Sequence, residues 1–197
     1  MHRAVLLLCA GNSNRLGRPK QLLEWDGKSI LEHIIHQVQP LGFPVFGVTG
    51  GYQAEIAPVL QKNNIQEFFC SEWELGMGES IRFGIQSILK QKPDTQKIMI
   101  ALSDMPLVGT SHFEALWHQS KTSKIVISQF QKVKGVPVVF DCSFFPALLQ
   151  LSGDQGAKPL LQKHFNEVDI LSSEQPFFDV DTEKDYQKLL TFSSNKK

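Results

Sequence analysis

The stretch Val5-Leu6-Leu7-Leu8-Cys9-Ala10-Gly11-Asn12-Ser13-Asn14-Arg15-Leu16-Gly17-Arg18-Pro19-Lys20 sets an apolar run against a glycine-bearing, cationic loop. A short apolar run stopped by glycine reads as a strand buried on both faces. Glycines let backbone amides close around an anion, as phosphate-binding nests do. Arg15 can fork onto phosphate oxygens, and Lys20 can add a point charge. No acid occurs before Glu24, so the loop cations have no local partner. Met1-His2-Arg3 ahead of the apolar run mimics a weak secretion signal, but the loop needs that run as its strand base.

Outward from this stretch, strands alternate with helices. Strands are expected over Val45–Thr49, Ile65–Cys70, Ile98–Leu102, Lys124–Ser128, Val136–Phe140, Val168–Leu171 and Phe177–Val180. Ser29 and Glu32 form a capping box before Ile30, Leu31, Ile34, Ile35 and Val38 at helical spacing. Further helices are expected over Tyr52–Leu60, from Gly76 through Leu89, over Ser143–Leu151 and over Lys158–His164. Ser111 and Glu114 read as a second capping box for a helix through His118, and Asp181 or Thr182 caps the last helix. The alternation predicts an α/β fold: a mostly parallel sheet covered on both faces, with a mixed edge beyond Lys124. The expectation is one domain over 1–192, with 193–197 frayed.

The 197 residues carry 20 Lys+Arg against 20 Asp+Glu, with 42% hydrophobic content. That excludes a disordered chain and argues against bulk nucleic-acid binding, which needs a basic face. No apolar run reaches the length of a membrane span. Cys9, Cys70 and Cys142 are too widely spaced for a zinc site and read as buried residues in a reducing cytoplasm. His33 and His36 read as a polar helix face rather than a metal pair.

In such a sheet, ligands gather at the carboxyl ends of the strands. The loop from Gly11 to Lys20, Gly76-Met77-Gly78-Glu79-Ser80 and Ser103-Asp104-Met105-Pro106 all fall there. Gly27-Lys28-Ser29 mimics a Walker loop, but Leu22 stands where its first glycine belongs. Gly76-Met77-Gly78 likewise starts a dinucleotide fingerprint that Ile81 breaks. Asp104 at a strand end can hold Mg²⁺ against phosphates. Asp179 and Asp181 straddle Val180 and so face one side, a spacing that suits a second metal contact.

Leu7 to Lys20 resembles the signature loop of the MobA-like nucleotidyltransferases, and most closely the molybdenum cofactor cytidylyltransferases. The resemblance continues through Gly76 to Ser80, Ser103 to Pro106, Gly135-Val136-Pro137, Gly153 to Lys158 and Asp179 to Thr182. It implies a three-layer αβα Rossmann-like fold and Mg²⁺-dependent transfer of CMP from CTP to a phosphorylated pterin, with release of pyrophosphate. Arg15, Lys20 and Asp104 would be catalytic, with Asp104, Asp181 and Asp179 as metal ligands. Leu8, Cys9, Ala10, Gly11, Ser13, Gly76, Met77, Gly78, Ser80 and Ser103 would line the nucleotide. Gly135, Pro137, Gly156 and Lys158 would face the acceptor, within an acceptor-binding part at about 111–192 set against an NTP-binding part at about 1–110. A molybdoenzyme or its maturation chaperone would be the protein partner.

Guanylyl-transferring relatives usually carry a second glycine at Ala10 and an Asp at Pro19, so these residues favour CTP. Cys9 stands where a smaller residue is usual, Lys158 where Arg is usual, and Glu183 where proline is frequent. A guanylyl or sugar-phosphate nucleotidyltransferase of the same fold, and a nucleotide-binding accessory protein without turnover, remain open alternatives.

Overall fold

The computed structural model describes residues 2–174 and 178–193. Its centre is a seven-stranded sheet. In chain order the strands are β1 (His2–Cys9), β4 (Val45–Thr49), β5 (Gln66–Phe69), β6 (Thr95–Leu102), β7 (Ile125–Phe130), β8 (Val133–Asp141) and β9 (Val168–Ser173). β2 (Glu24–Trp25) and β3 (Lys28–Ser29) form a separate hairpin. The sheet order is β5-β4-β1-β6-β8-β7-β9. β8 runs against both neighbours and every other pairing is parallel. Among the described residues, no helix is long and apolar enough to cross a membrane.

Alternation along β1 builds both cores. Ala4, Leu6 and Leu8 face one side with Ile81, Ile85 and Ile88 of α3 (Met77–Gln91), Leu148 of α5 (Phe145–Leu148) and Leu160 of α6 (Lys158–Lys163). Val5, Leu7 and Cys9 face the other. There they meet α1 (Ile30–Val38), α2 (Gln53–Lys62) and α4 (Thr110–Gln119), through residues such as Ile34, Leu60 and Phe113. β1 is buried at every position from Ala4 to Cys9, so the apolar start of the chain is a central strand. The three-layer αβα expectation is met.

The Ser29–Glu32 capping box is present, with Ser29 Oγ accepting from the Glu32 amide and the Glu32 carboxylate accepting from the Ser29 amide. The Ser111–Glu114 box is not. α4 begins at Thr110 because Gln37 Oε1, from α1, accepts both the Thr110 amide (2.8 Å) and its hydroxyl (2.7 Å). A tertiary acceptor displaces the local cap. The expected helix over Ser143–Leu151 breaks into a 3-10 turn (Cys142–Phe144) and one turn of α5. Pro146 lacks the amide that would carry a helix through that joint, and so it opens α5 instead.

Phe177 lies outside the described residues, and Phe178 to Val180 form no strand. That segment crosses above the end of β6 rather than beside a strand, where the Val180 amide donates to Asp104 O (3.0 Å). Thr182 and Asp185 then make a reciprocal cap that opens α7 (Glu183–Ser193). Of the frayed tail, 194–197 lie outside the described residues. α7 and Val180 pack on the β2–β3 hairpin through Leu189, Leu23, Trp25 and Ile30. Cys9 and Cys70 are buried, but Cys142 is exposed, because it opens the surface turn after β8.

Candidate active site

Residues at or just beyond the carboxyl ends of β1, β5 and β6 surround a cavity of about 740 Å³. Leu8, Ala10, Gly11, Ser13, Arg15, Lys20, Gly76, Met77, Ser80, Ser103, Asp104, Asp179 and Asp181 line it, all of them singled out in the sequence. Asn12 and Asn14 from inside the glycine loop and Asp154 from the Gly153 to Lys158 motif line it as well, as do Gln21, Trp73, Glu74 and Leu102, which were not singled out. Trp73 left a usable signal, since a large aromatic three residues before Gly76-Met77-Gly78 sits where ligands collect. Gln21 left none.

The loop is built to place Lys20. Ser13 has φ of 50° and Gly17 of 66°. Ser13 O accepts from the Leu16 and Gly17 amides, and Ser13 Oγ accepts from the Lys20 amide at 3.1 Å. Gln21, almost fully buried, braces the turn from below by donating to Cys9 O (3.4 Å). Ser103 Oγ donates to Leu8 O (2.8 Å), tying the end of β6 to the end of β1. The Ser103 hydroxyl is therefore committed to the scaffold.

Lys20 Nζ touches Asp104 Oδ2 and stands 2.5 Å from Asp181 Oδ1. Arg15, largely exposed, lies 3.5 Å from Asp181 Oδ2. Arg18 pairs with Glu183 at 3.0 Å, which gives the unusual Glu183 a partner. The loop cations thus find their counter-charges at the far end of the chain. Burial works against the Lys20 ammonium, but Asp104 and Asp181 outweigh it and hold the group above its ordinary value. Burial also pushes the Asp104 carboxyl up, more than Lys20 pulls it down. Asp179 is an exposed residue, but desolvation of its carboxyl by the surrounding protein pushes it up to about 6, with Asp104 and Asp181 adding their repulsion.

Two cations, Arg15 and Lys20, therefore meet three carboxylates, Asp104, Asp179 and Asp181, and the site is short of positive charge. Asp104 Oδ1 is buried with no hydrogen-bond partner. A hard divalent cation matches an unpaired carboxylate oxygen in an acidic setting. Among the described residues no three His, Cys, Asp or Glu side chains already converge as a metal cluster.

Several expected residues stand elsewhere. Strand alternation turns Cys9 away from the cavity into the opposite core, where burial pushes its thiol up to about 12. Gly78 faces Ser152, and its amide donates to Gly153 O (2.8 Å). Gly135, Pro137, Gly156 and Lys158 do not line the cavity. Because β8 is reversed, its first residues, Gly135 among them, still reach the carboxyl end of the sheet. Gly156 packs on Met77. His33 and His36 have separate partners, Trp25 O and Lys28 Nζ.

Gly76 has φ of 117°, and a Cβ there would lie 2.4 Å from the Gly153 carbonyl carbon. Gly76→Ala combines backbone strain with a backbone clash and is expected to cost about 2 kcal/mol or more. Chemical denaturation checks this, and an unchanged midpoint would show that the Gly153 loop yields freely.

The chain is similar to the purine catabolism protein PucB of Bacillus subtilis, 27% identical over 169 residues that cover 80% of this chain and 79% of PucB. It is 30% identical over 119 residues to the bifunctional protein GlmU of Francisella tularensis, covering 59% of this chain and only 25% of GlmU. Rv0371c of Mycobacterium tuberculosis superimposes with a TM-score of 0.84 at 26% identity, over 96% of this chain and 97% of that one. A manganese complex of Rv0371c also aligns at 0.84, at 22% identity, over 97% and 99% of the two chains. The family model for the MobA-like NTP transferase domain matches residues 5–168. With the signature loop, the sheet and the cavity all in place, the chain belongs to the MobA-like NTP transferase family of nucleotidyltransferases.

Proposed function

We propose that the chain transfers CMP from CTP to the terminal phosphate of a molybdopterin-type cofactor, releasing pyrophosphate, with Mg²⁺ as its metal. The observation that carries the transfer chemistry is the Lys20, Asp104 and Asp181 cluster, set in one cavity with the glycine loop. Ala10 on the cavity wall, in place of a second glycine, supports the choice of CTP.

The reaction needs no protein nucleophile. A phosphate monoester is largely dianionic at neutral pH, since its second pKa is about 6. Its oxygen attacks the α-phosphorus in line, the α–β P–O bond breaks, and the electron pair leaves with pyrophosphate. Arg15 and Lys20 neutralise the triphosphate and stabilise the departing charge. The loop amides and the Gly76 turn fix the nucleotide so that the attack is oriented. Asp104 and Asp181 would hold the divalent cation, Asp104 through its unpartnered Oδ1. When bound there, the ion supplies Lewis-acid neutralisation of phosphate charge.

Pyrophosphate release, assayed with each NTP and Mg²⁺, with and without the phosphorylated pterin, tests the reading. The expected result is release with CTP only when the pterin is present. Turnover with GTP, or with a sugar phosphate in place of the pterin, would overturn the substrate assignment.

A further inference from the structure

We propose that Trp73 is the stacking platform for the nucleobase of the bound NTP, a role that rests on the nucleotidyltransferase reading above. Trp73 begins the 3-10 turn Trp73–Leu75 that follows β5, half-buried on the cavity wall. Its indole lies lengthwise along Gly50 and Gly51. A Cβ on Gly50 would be 2.5 Å from Trp73 Cγ, and one on Gly51 would be 3.1 Å from Cη2 at the opposite end of the ring. A side chain at Gly50 would force the ring away, and one at Gly51 would crowd its far end. The Gly51 amide donates to Ala10 O (3.1 Å), which fastens this glycine seat to the end of β1.

The turn itself is fixed from outside. Arg82 of α3 donates to Glu72 at 2.9 Å and to Glu79 at 2.8 Å, which ties the residue before Trp73 to the first turn of the helix. The ring is therefore held before any ligand arrives, packed partly on the core and lining the cavity with the rest of its surface. A held aromatic surface loses little entropy on binding.

Its place in the sheet gives the ligand. The Lys20, Asp104 and Asp181 cluster lies above β1 and β6. Trp73 lies to one side, above β4 and β5, while β8, β7 and β9 lie to the other. A nucleotide with its phosphates on the cluster has an aromatic surface for its base toward β4 and β5, and the acceptor approaches from the β8 side. Every base presents a π-face, so Trp73 supplies affinity without choosing among the bases.

Calorimetric titration with Mg²⁺ present tests this, using CTP and inorganic tripolyphosphate as paired probes. Trp73→Leu keeps apolar bulk on the glycine seat but removes the ring. The expected result is CTP affinity weakened roughly tenfold or more, tripolyphosphate affinity unchanged, and Trp73→Phe within about threefold of the parent. Equal loss for both probes would make Trp73 a scaffold residue and overturn the platform. Unchanged CTP affinity would overturn it too, as would a raised KM for the pterin acceptor with CTP binding intact. Should Trp73→Leu not fold, Trp73→Met carries the same comparison. Titrations with ATP, GTP and UTP separate this proposal from the choice of CTP. A chain that prefers another NTP still loses affinity for that NTP if the platform is real.

Discussion

Asp104→Asn lowers turnover by about a hundred- to a thousandfold, while CTP binding falls only a few-fold. The substitution keeps the shape of the side chain and removes its charge. Asp104 is fixed by the backbone on both sides: Ser103 is bonded to β1, and Asp104 O receives the Val180 amide. Asn therefore occupies the same place without the anionic oxygen that the site leaves unpartnered. On the proposed reading, most contacts to the base and triphosphate would come from the loop and from other residues of the cavity wall, so binding is expected to survive. Steady-state pyrophosphate release measures the first quantity and calorimetry the second. Full turnover in this variant would remove Asp104 from the chemistry.

Lys20→Met acts on stability and on binding together. The Lys20 and Asp104 side chains are 15% and 8% exposed, so this is a buried pair. Removing the cation leaves Asp104 buried without its partner, which typically costs about 3–5 kcal/mol. Triphosphate affinity falls as well, because the charge nearest the cluster is gone. Lys20→Met combined with Asp104→Asn is expected to be more stable than Lys20→Met alone, since the second change removes the stranded carboxylate. Urea unfolding of the four proteins in this cycle gives the coupling. A cycle in which the two losses simply add would show that the pair is not coupled in the folded protein.

The parts of the fold legible in the sequence are those set by neighbouring residues. Val5 to Cys9 announces a buried strand by composition, Ser29 and Glu32 announce a helix start by mutual capping, and Gly11 to Lys20 announces an anion loop by glycine and charge. The parts that were not legible depend on residues far away in sequence. Ser111 and Glu114 have the right spacing for a cap and lose to Gln37, some seventy residues earlier. Phe178 to Val180 has strand composition but no strand beside it. The β2–β3 hairpin did leave a local trace in Asp26-Gly27, both at positive φ, the usual turn for a two-residue hairpin. Two-residue strands are too short for any periodicity to mark them. In the candidate site, charged and glycine residues carried the signal, and Trp73 carried one only through its spacing to Gly76. Gln21 carried none, because its place under the loop follows from packing and not from residue type.

The contact between Lys20 and Asp181 joins residues 161 positions apart. The family match ends at residue 168, and the seven-stranded sheet is complete at Ser173. Asp179 and Asp181 come after both, carried by a segment that Val180, Leu189 and the β2–β3 hairpin hold in place. The boundary of the fold and the boundary of the site are therefore different. A change that loosens α7 from its hairpin would spare the sheet, the glycine loop and Asp104, yet strip Asp179 and Asp181 from the pocket. Damage to the protein's chemistry can in this way arise at a surface helix with no atom in the cavity.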